Sequence, residues 1–293
     1  MHRPVLAILL ALFCLATHAA ERGALFSATL NGHTMLLFGT LHVGQPDFYP
    51  LDARIGTALE AASTLALEID PVQARADLAQ ALRSHGMLAQ GEGGYDALPA
   101  AQKRRLDALV LQGGLDAGKV LGYQPVLLAT VLTLAETTRL GYRSEYASEA
   151  WLARTARRHG VRVLGLETLA GQLALLDRLD LPARWRYLDE TMAAIESGTQ
   201  RRDTRAMVQA WSTADRDALE AIAARVEADG SVSGRFVHAV LLKERNGALA
   251  GKLLRLLQEE ENTVAAIGVL HLLGTGSVPL LLQAHGVTVE RIY

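Results

Sequence analysis

The sequence predicts an α/β fold: a central, mostly parallel sheet with an N-terminal hairpin and large helical insertions. Three observations predict it. An apolar run ending in Gly-x-x-His occurs twice, as Met35-Leu-Leu-Phe-Gly39-Thr-Leu-His42 and as Val264-Ala-Ala-Ile-Gly268-Val-Leu-His271. Short apolar runs bounded by glycine read as buried strands. Asn31-Gly32 separates two such runs, a strong signal for a tight hairpin. A strand, helix, strand order follows, and its crossover makes the flanking strands parallel.

In chain order, Ala24 to Leu30 and Thr34 to Thr40 form the hairpin, whose second arm delivers His42. Leu51 to Ala62 has helical spacing, with Ile55, Leu59 and Ala62 on one side. Thr64-Leu-Ala-Leu-Glu68-Ile-Asp70 reads as a second buried strand, stopped by Pro71. Helices are expected over Val72 to Ser84, Pro99 to Leu111, Pro125 to Thr138 and Ser148 to His159, with Gly91 to Gly94 as a loop and Gly160 as a stop. Pro125 to Thr138 is the most apolar of these and the expected core helix. Val161 to Glu167 returns to strand. More helices fill Leu169 to Glu260, divided near Pro182, Gly198 and Gly230, with Arg201, Arg202 and Arg205 expected on a solvated face. The chain closes as strand (Thr263 to Leu270), helix (Val278 to His285) and strand (Val287 to Ile292). The insertions therefore span about residues 72–160 and 169–260 of an α/β unit covering 21–293.

The bulk numbers narrow the function. A chain of 293 residues, half of them hydrophobic, can bury one large core, or a core with an inserted lobe. A formal net charge of -2 and 5% aromatics give no case for nucleic acid. Residues 1–20 read as a secretory signal peptide: Arg3 precedes the apolar stretch Val5 to Ala16, and small residues follow at Ala19 and Ala20. The single cysteine, Cys14, falls inside it, so the mature chain is expected to lack thiol chemistry. A periplasmic or secreted protein with no membrane span after cleavage is the expected setting.

Four strands end at, or just before, a chemically active side chain: His42, Glu68 with Asp70, Glu167, and His271. If the two Gly-x-x-His strands are parallel neighbours, both imidazoles emerge at one sheet edge, where open α/β sheets bind ligands. A carboxylate inside an apolar run, as at Glu68, requires a cation, a donor or a metal. Two imidazoles with two carboxylates suit a divalent transition metal, and an open coordination position lets such a metal activate water. A carboxylate not used as a ligand would then serve as general base. Arg245 and Asn246 precede a helix expected over Gly247 to Leu257. Asn246 is placed to cap it, and Arg245 to neutralise a buried carboxylate or bind an anionic group of substrate. His33, His85, His159, His238 and His285 lack matching partners and read as surface or packing residues.

Five segments together resemble the TraB/GumN family, which includes the Tiki metalloproteases. They are Leu37-Phe-Gly39-Thr-Leu-His42, Leu67-Glu68-Ile-Asp70, Gly165-Leu-Glu167-Thr168 with Gln172, Glu244-Arg245-Asn246, and Gly268-Val-Leu-His271-Leu-Leu-Gly274. The resemblance implies a fold similar to that of erythromycin esterase and the ChaN haem-iron proteins. It places His42, His271 and Glu68 in the active site; metal ligation by these three, with Glu167 as ligand or base, is the expectation that follows from their chemistry. It also implies metal-dependent peptidase chemistry supported by manganese or cobalt; the donor set itself leaves zinc and iron as further candidates. Peptides or small molecules are the expected substrates. One departure stands out: where the family shows Gly-x-Asp or Gly-x-Glu opening a helix, this chain has Ala147-Ser148-Glu149, which bears on the role of Glu149. Haem or iron binding by fold analogy, and metal-free acid/base chemistry, are the alternative readings.

Overall fold

A computed structural model describes residues 20–89 and 91–293. The expected signal peptide, with Cys14, lies outside the described residues but for Ala20. Six strands form one sheet: β1 (Leu25–Leu30), β2 (His33–Thr40), β3 (Thr64–Leu67), β4 (Arg162–Gly165), β5 (Asn262–Gly268) and β6 (Thr288–Arg291), in the order β4-β3-β5-β2-β1-β6. β4, β3, β5 and β2 run parallel, while β1 is antiparallel to both neighbours. The mostly parallel sheet and its N-terminal hairpin match the sequence expectation, with Asn31 and Gly32 both at positive φ in the turn. β3 and β2 are parallel as the crossover requires, but β5 lies between them.

The register decides where the histidines go. β2 pairs β5 from Thr34↔Asn262 to Thr40↔Gly268, so the two Gly-x-x-His segments leave the same edge side by side. β2, β3 and β5 are almost wholly buried, as strands covered on both faces must be. β4 is an edge strand and largely open; of the expected run Val161 to Glu167 it covers Arg162–Gly165, and Leu166 and Glu167 still donate their N–H groups to Leu67 O and Glu68 O.

The helices are α1 (Ala53–Ala61), α2 (Pro71–Ala81), α3 (Ala100–Gln112), α4 (Ala117–Val120), α5 (Pro125–Arg139), α6 (Ser148–Arg158), α7 (Leu169–Ala174), α8 (Leu181–Glu196), α9 (Thr199–Ser212), α10 (Arg216–Ala228), α11 (Val232–Phe236), α12 (Arg245–Glu259) and α13 (Val278–Ala284). α1, α6, α12 and α13 pack on the sheet strands and join their core. α3, α5 and α8 build a second core from Leu106, Leu128, Leu132, Leu188 and Met192. α9 is tied to the sheet by Trp211, whose indole N–H donates to Gly39 O at 2.9 Å from a fully buried ring. Arg201 keeps the exposed face expected of it and also reaches a neighbouring helix. It crosses to α5 and bonds the buried Glu136 carboxylate at 3.1 Å, because a buried carboxylate needs a cation. Among the described residues no helix is long and apolar enough to cross a membrane.

Candidate active site

Each chemically active side chain sits one to three residues beyond the end of a parallel strand. Glu68 follows β3 and Glu167 follows β4; His42 follows β2, and His271 lies in a 3-10 turn after β5. The chain therefore delivers all four to one edge because its strands are parallel, and their distance in sequence is immaterial. Gly268 marks the centre. A Cβ there would lie 3.1 Å from Glu68 Oε1, 3.5 Å from His42 Nε2 and 3.5 Å from His271 Cδ2. Any side chain at 268 would fill the space into which both imidazoles and Glu68 point.

Glu68 is 8% exposed. Its Oε1 accepts the Gly268 N–H at 2.6 Å, and its Oε2 is paired with Arg245 Nη2. Burial works to raise this carboxyl. The surrounding His42, His271 and Arg245, with the Gly268 N–H, outweigh it and hold the carboxyl down at about 2. The same guanidinium donates to Glu167 through Nη2 at 2.6 Å and Nε at 3.1 Å. Gln172, on α7, bridges the two carboxylates, donating to Glu167 at 2.8 Å and to Glu68 at 3.3 Å. Of the two sequence readings of Arg245, neutralising buried charge is the one the structure displays.

Both imidazoles are fixed from behind. Asn246 Nδ2 donates to Gly276 O at 2.9 Å, so its Oδ1 must face His271 Nδ1, 2.6 Å away. His271 is thereby an Nδ1–H donor, and its Nε2 lone pair faces Glu68 Oε1 at 3.9 Å. Burial lowers His271 to about 4, against the partial opposition of Glu68, so it is neutral at pH 7. His42 Nδ1 bonds Glu149 Oε1 at 2.7 Å, and that carboxylate raises the His42 imidazole to about 9. Its ring stays exposed at the mouth of a cleft of about 200 Å³ lined by Glu68, Glu149 and Gln172.

Two sequence expectations change here. Asn246 is not an N-cap: a π-helical stretch at Val237–Glu244 runs straight into α12, leaving it inside continuous helix. Wide turns of this kind cluster at functional sites. This one lets Arg245 Nη1 bond Leu241 O while the rest of the guanidinium faces the carboxylates. Asn246 reaches the cleft only through His271. Ala147, in place of the family's glycine, has an extended backbone, φ -60 and ψ 143, so no glycine is required. Ser148 Oγ accepts the Leu41 N–H at 2.8 Å, which pins α6 and Glu149 beside His42. Asp70 turns away, capping α2 and pairing with Arg157. The roles of Glu149 and Gln172 come from tertiary contacts that local sequence does not encode.

Among the described residues no group of three or more His, Cys, Asp and Glu is arranged to hold a metal as it stands. The donor set is nonetheless of the right chemistry. Each ring offers Nε2 while its Nδ1 is anchored on an oxygen, the arrangement that orients metal-binding histidines. Glu68, Glu149 and Glu167 against Arg245 leave two negative charges when both rings are neutral, a balance a divalent ion would meet. Glu149 Oε2 is buried without a partner.

A family model described as TraB/PrgY/gumN family matches residues 24–291. Two curated relatives carry the description "Uncharacterized protein YbaP". The one from Shigella flexneri is 26% identical over 267 residues, covering 86% of this chain and 89% of its own. The one from Escherichia coli (strain K12) is 26% identical over 261 residues, covering 84% and 87%. No solved structure matches.

Proposed function

The chain belongs to the TraB/PrgY/gumN family, and from that premise we propose an exported metal-dependent hydrolase that acts on a peptide or related acyl bond. One observation carries this reading. Two imidazoles, each with its Nδ1 anchored, and Glu68 Oε1 converge on Gly268, His42 through Nε2 and His271 through its Cδ2 edge. His42, His271 and Glu68 would hold the ion, with manganese, cobalt, zinc and iron as candidates. When bound, it supplies Lewis acidity toward a carbonyl and a more acidic water.

The remaining residues have separable tasks. Glu149 and Asn246 orient the rings. Arg245 and Gln172 occupy the oxygens of Glu167, which makes Glu167 an orienting partner for Arg245. Glu149 lines the cleft beside His42, and we assign it the acceptance of a proton from water. The small cleft argues for a segment of substrate entering, since whole-ligand sites measure ~300–1,000 Å³.

The test is metal content and peptidase activity of protein purified without chelator, beside His42→Ala and His271→Ala. Bound divalent metal and activity should fall together in both variants. Unchanged metal content in both removes the metal assignment, and full activity after chelation points to metal-free chemistry. A Soret band on haem titration, lost in either variant, would favour haem binding instead. Export predicts a mature N-terminus at residue 20 or 21 by intact mass.

A further inference from the structure

Beside the cleft lies a larger cavity, and the two share His42. It measures about 680 Å³, within the range that buries most of a ligand. Helices α5, α9 and α10 wall it, and the turn from Leu41 to Val43 closes the end next to the sheet edge. Leu134 is 40% exposed here, a large apolar side chain left open to solvent, and Val43, Met207 and Val226 line the same space. Two of the lining threonines add little polarity. Thr130 and Thr137 donate their hydroxyls to Val126 O and Thr133 O of their own helix, at 2.9 and 2.8 Å. Asp203 and Asp229 stand against Arg225 among the charged lining groups.

We propose that this groove receives the apolar side chains of a peptide substrate on one side of the bond presented at His42, with Leu134 and Met207 setting the preference. The proposal rests on the hydrolase reading of the neighbouring cleft. An occupant anchored in the groove and reacting in the cleft must pass His42, which requires an extended chain. An extended peptide sends alternate side chains to one side, and burying them supplies binding energy remote from the reacting bond. Asp203 and Asp229 offset Arg225 and His42 in the lining, so the groove offers no net positive charge to a fatty acid or an anionic lipid.

The probes are two fluorescein-labelled decapeptides, one with a half rich in leucine and valine, the other with that half replaced by serine and asparagine. Anisotropy with the purified protein in chelator reads binding without turnover. The apolar peptide should bind more tightly, and Leu134→Asp and Met207→Asp should each weaken it on the order of tenfold. Leu134→Met should retain binding, and thermal melts of all variants should match the parent. Equal affinity for both peptides, or for parent and Asp variants, overturns the proposal. Tighter binding of a labelled dodecanoate, lost in Leu134→Asp, overturns the peptide as occupant. A peptide that binds through Leu134 yet stays uncut with manganese or cobalt defeats the hydrolase reading and leaves the groove standing. A peptide cut equally well by parent and Leu134→Asp does the reverse.

Discussion

Arg245 carries the charge balance of the sheet edge on one side chain. Its guanidinium faces Glu68 and Glu167 while only 12% exposed, and no other arginine or lysine pairs with either carboxylate among the described residues. Buried pairs of this kind add little net stability, because desolvation offsets attraction, yet removing one partner strands the other's charge. Arg245→Met is therefore expected to cost about 3–5 kcal/mol in urea unfolding with chelator present. Adding Glu68→Gln should return part of that loss, since the stranded charge is then absent. A loss below about 1 kcal/mol, the range of a surface pair, would show that water reaches these carboxylates and that the edge is open. Arg245, Glu68 and Glu167 were each legible as candidates, but the pairing of the arginine with these two carboxylates was not. They lie far away in sequence and become neighbours only when β3 and β4 pair.

At the scale of elements, the strands were the most legible parts, and the reason is physical. Burial on both faces demands unbroken apolar runs, and glycine and proline mark their ends. Helix α6 shows what the sequence hides. Its amphipathic spacing predicts a helix over Ser148 to His159, but the Ser148 bonds to Leu41 that aim Glu149 at His42 leave no periodic trace. The groove between α5, α9 and α10 was likewise invisible, being a gap between helices. Helix α1 links β2 to β3 and starts at Asp52, whose carboxylate accepts the Arg54 N–H at 2.8 Å and its Nε at 2.9 Å. Those Arg54 hydrogen bonds hold the Asp52 carboxyl below its usual range, against burial. A depressed carboxylate contributes stability above its unfolded pKa and loses it as pH falls through the folded value. Asp52→Ala should thus cost about 1 kcal/mol at pH 7, with the gap to the parent closing below about pH 4. Asp52→Asn should keep most of the cap and lose the pH dependence. A gap of constant size from pH 7 to pH 3 would mean that packing, rather than the ionised cap, fixes the start of α1.

For the whole molecule, the site gathers residues from both ends of the described chain: His42 with Glu149, Glu68 with Gln172 and Arg245, and His271 with Asn246. A ligand bound there exists only when β2, β3 and β5 are in register, so its binding energy becomes folding energy. A divalent ion that binds the native state alone stabilises it by about 2.7 kcal/mol at a hundredfold excess over Kd. Manganese or cobalt should therefore raise the melting temperature of the chelated protein. The rise should disappear in His271→Ala and need ten- to a hundredfold more metal in Asn246→Ala, which frees the outer nitrogen of His271. The pH dependence of this effect follows from the rings. Metal competes with the proton that Glu149 holds on His42, whose imidazole sits at about 9. The gain should grow as pH rises from 6 to 9, while His271, near 4, stays neutral throughout. The chelated protein supplies the contrast: protonated His42 loses its favourable charge on Glu149 over that same interval, so its own stability should fall as the metal-linked gain climbs. A metal-dependent melting shift that ignores pH would place the ion away from His42, and the strand register would then serve the groove alone.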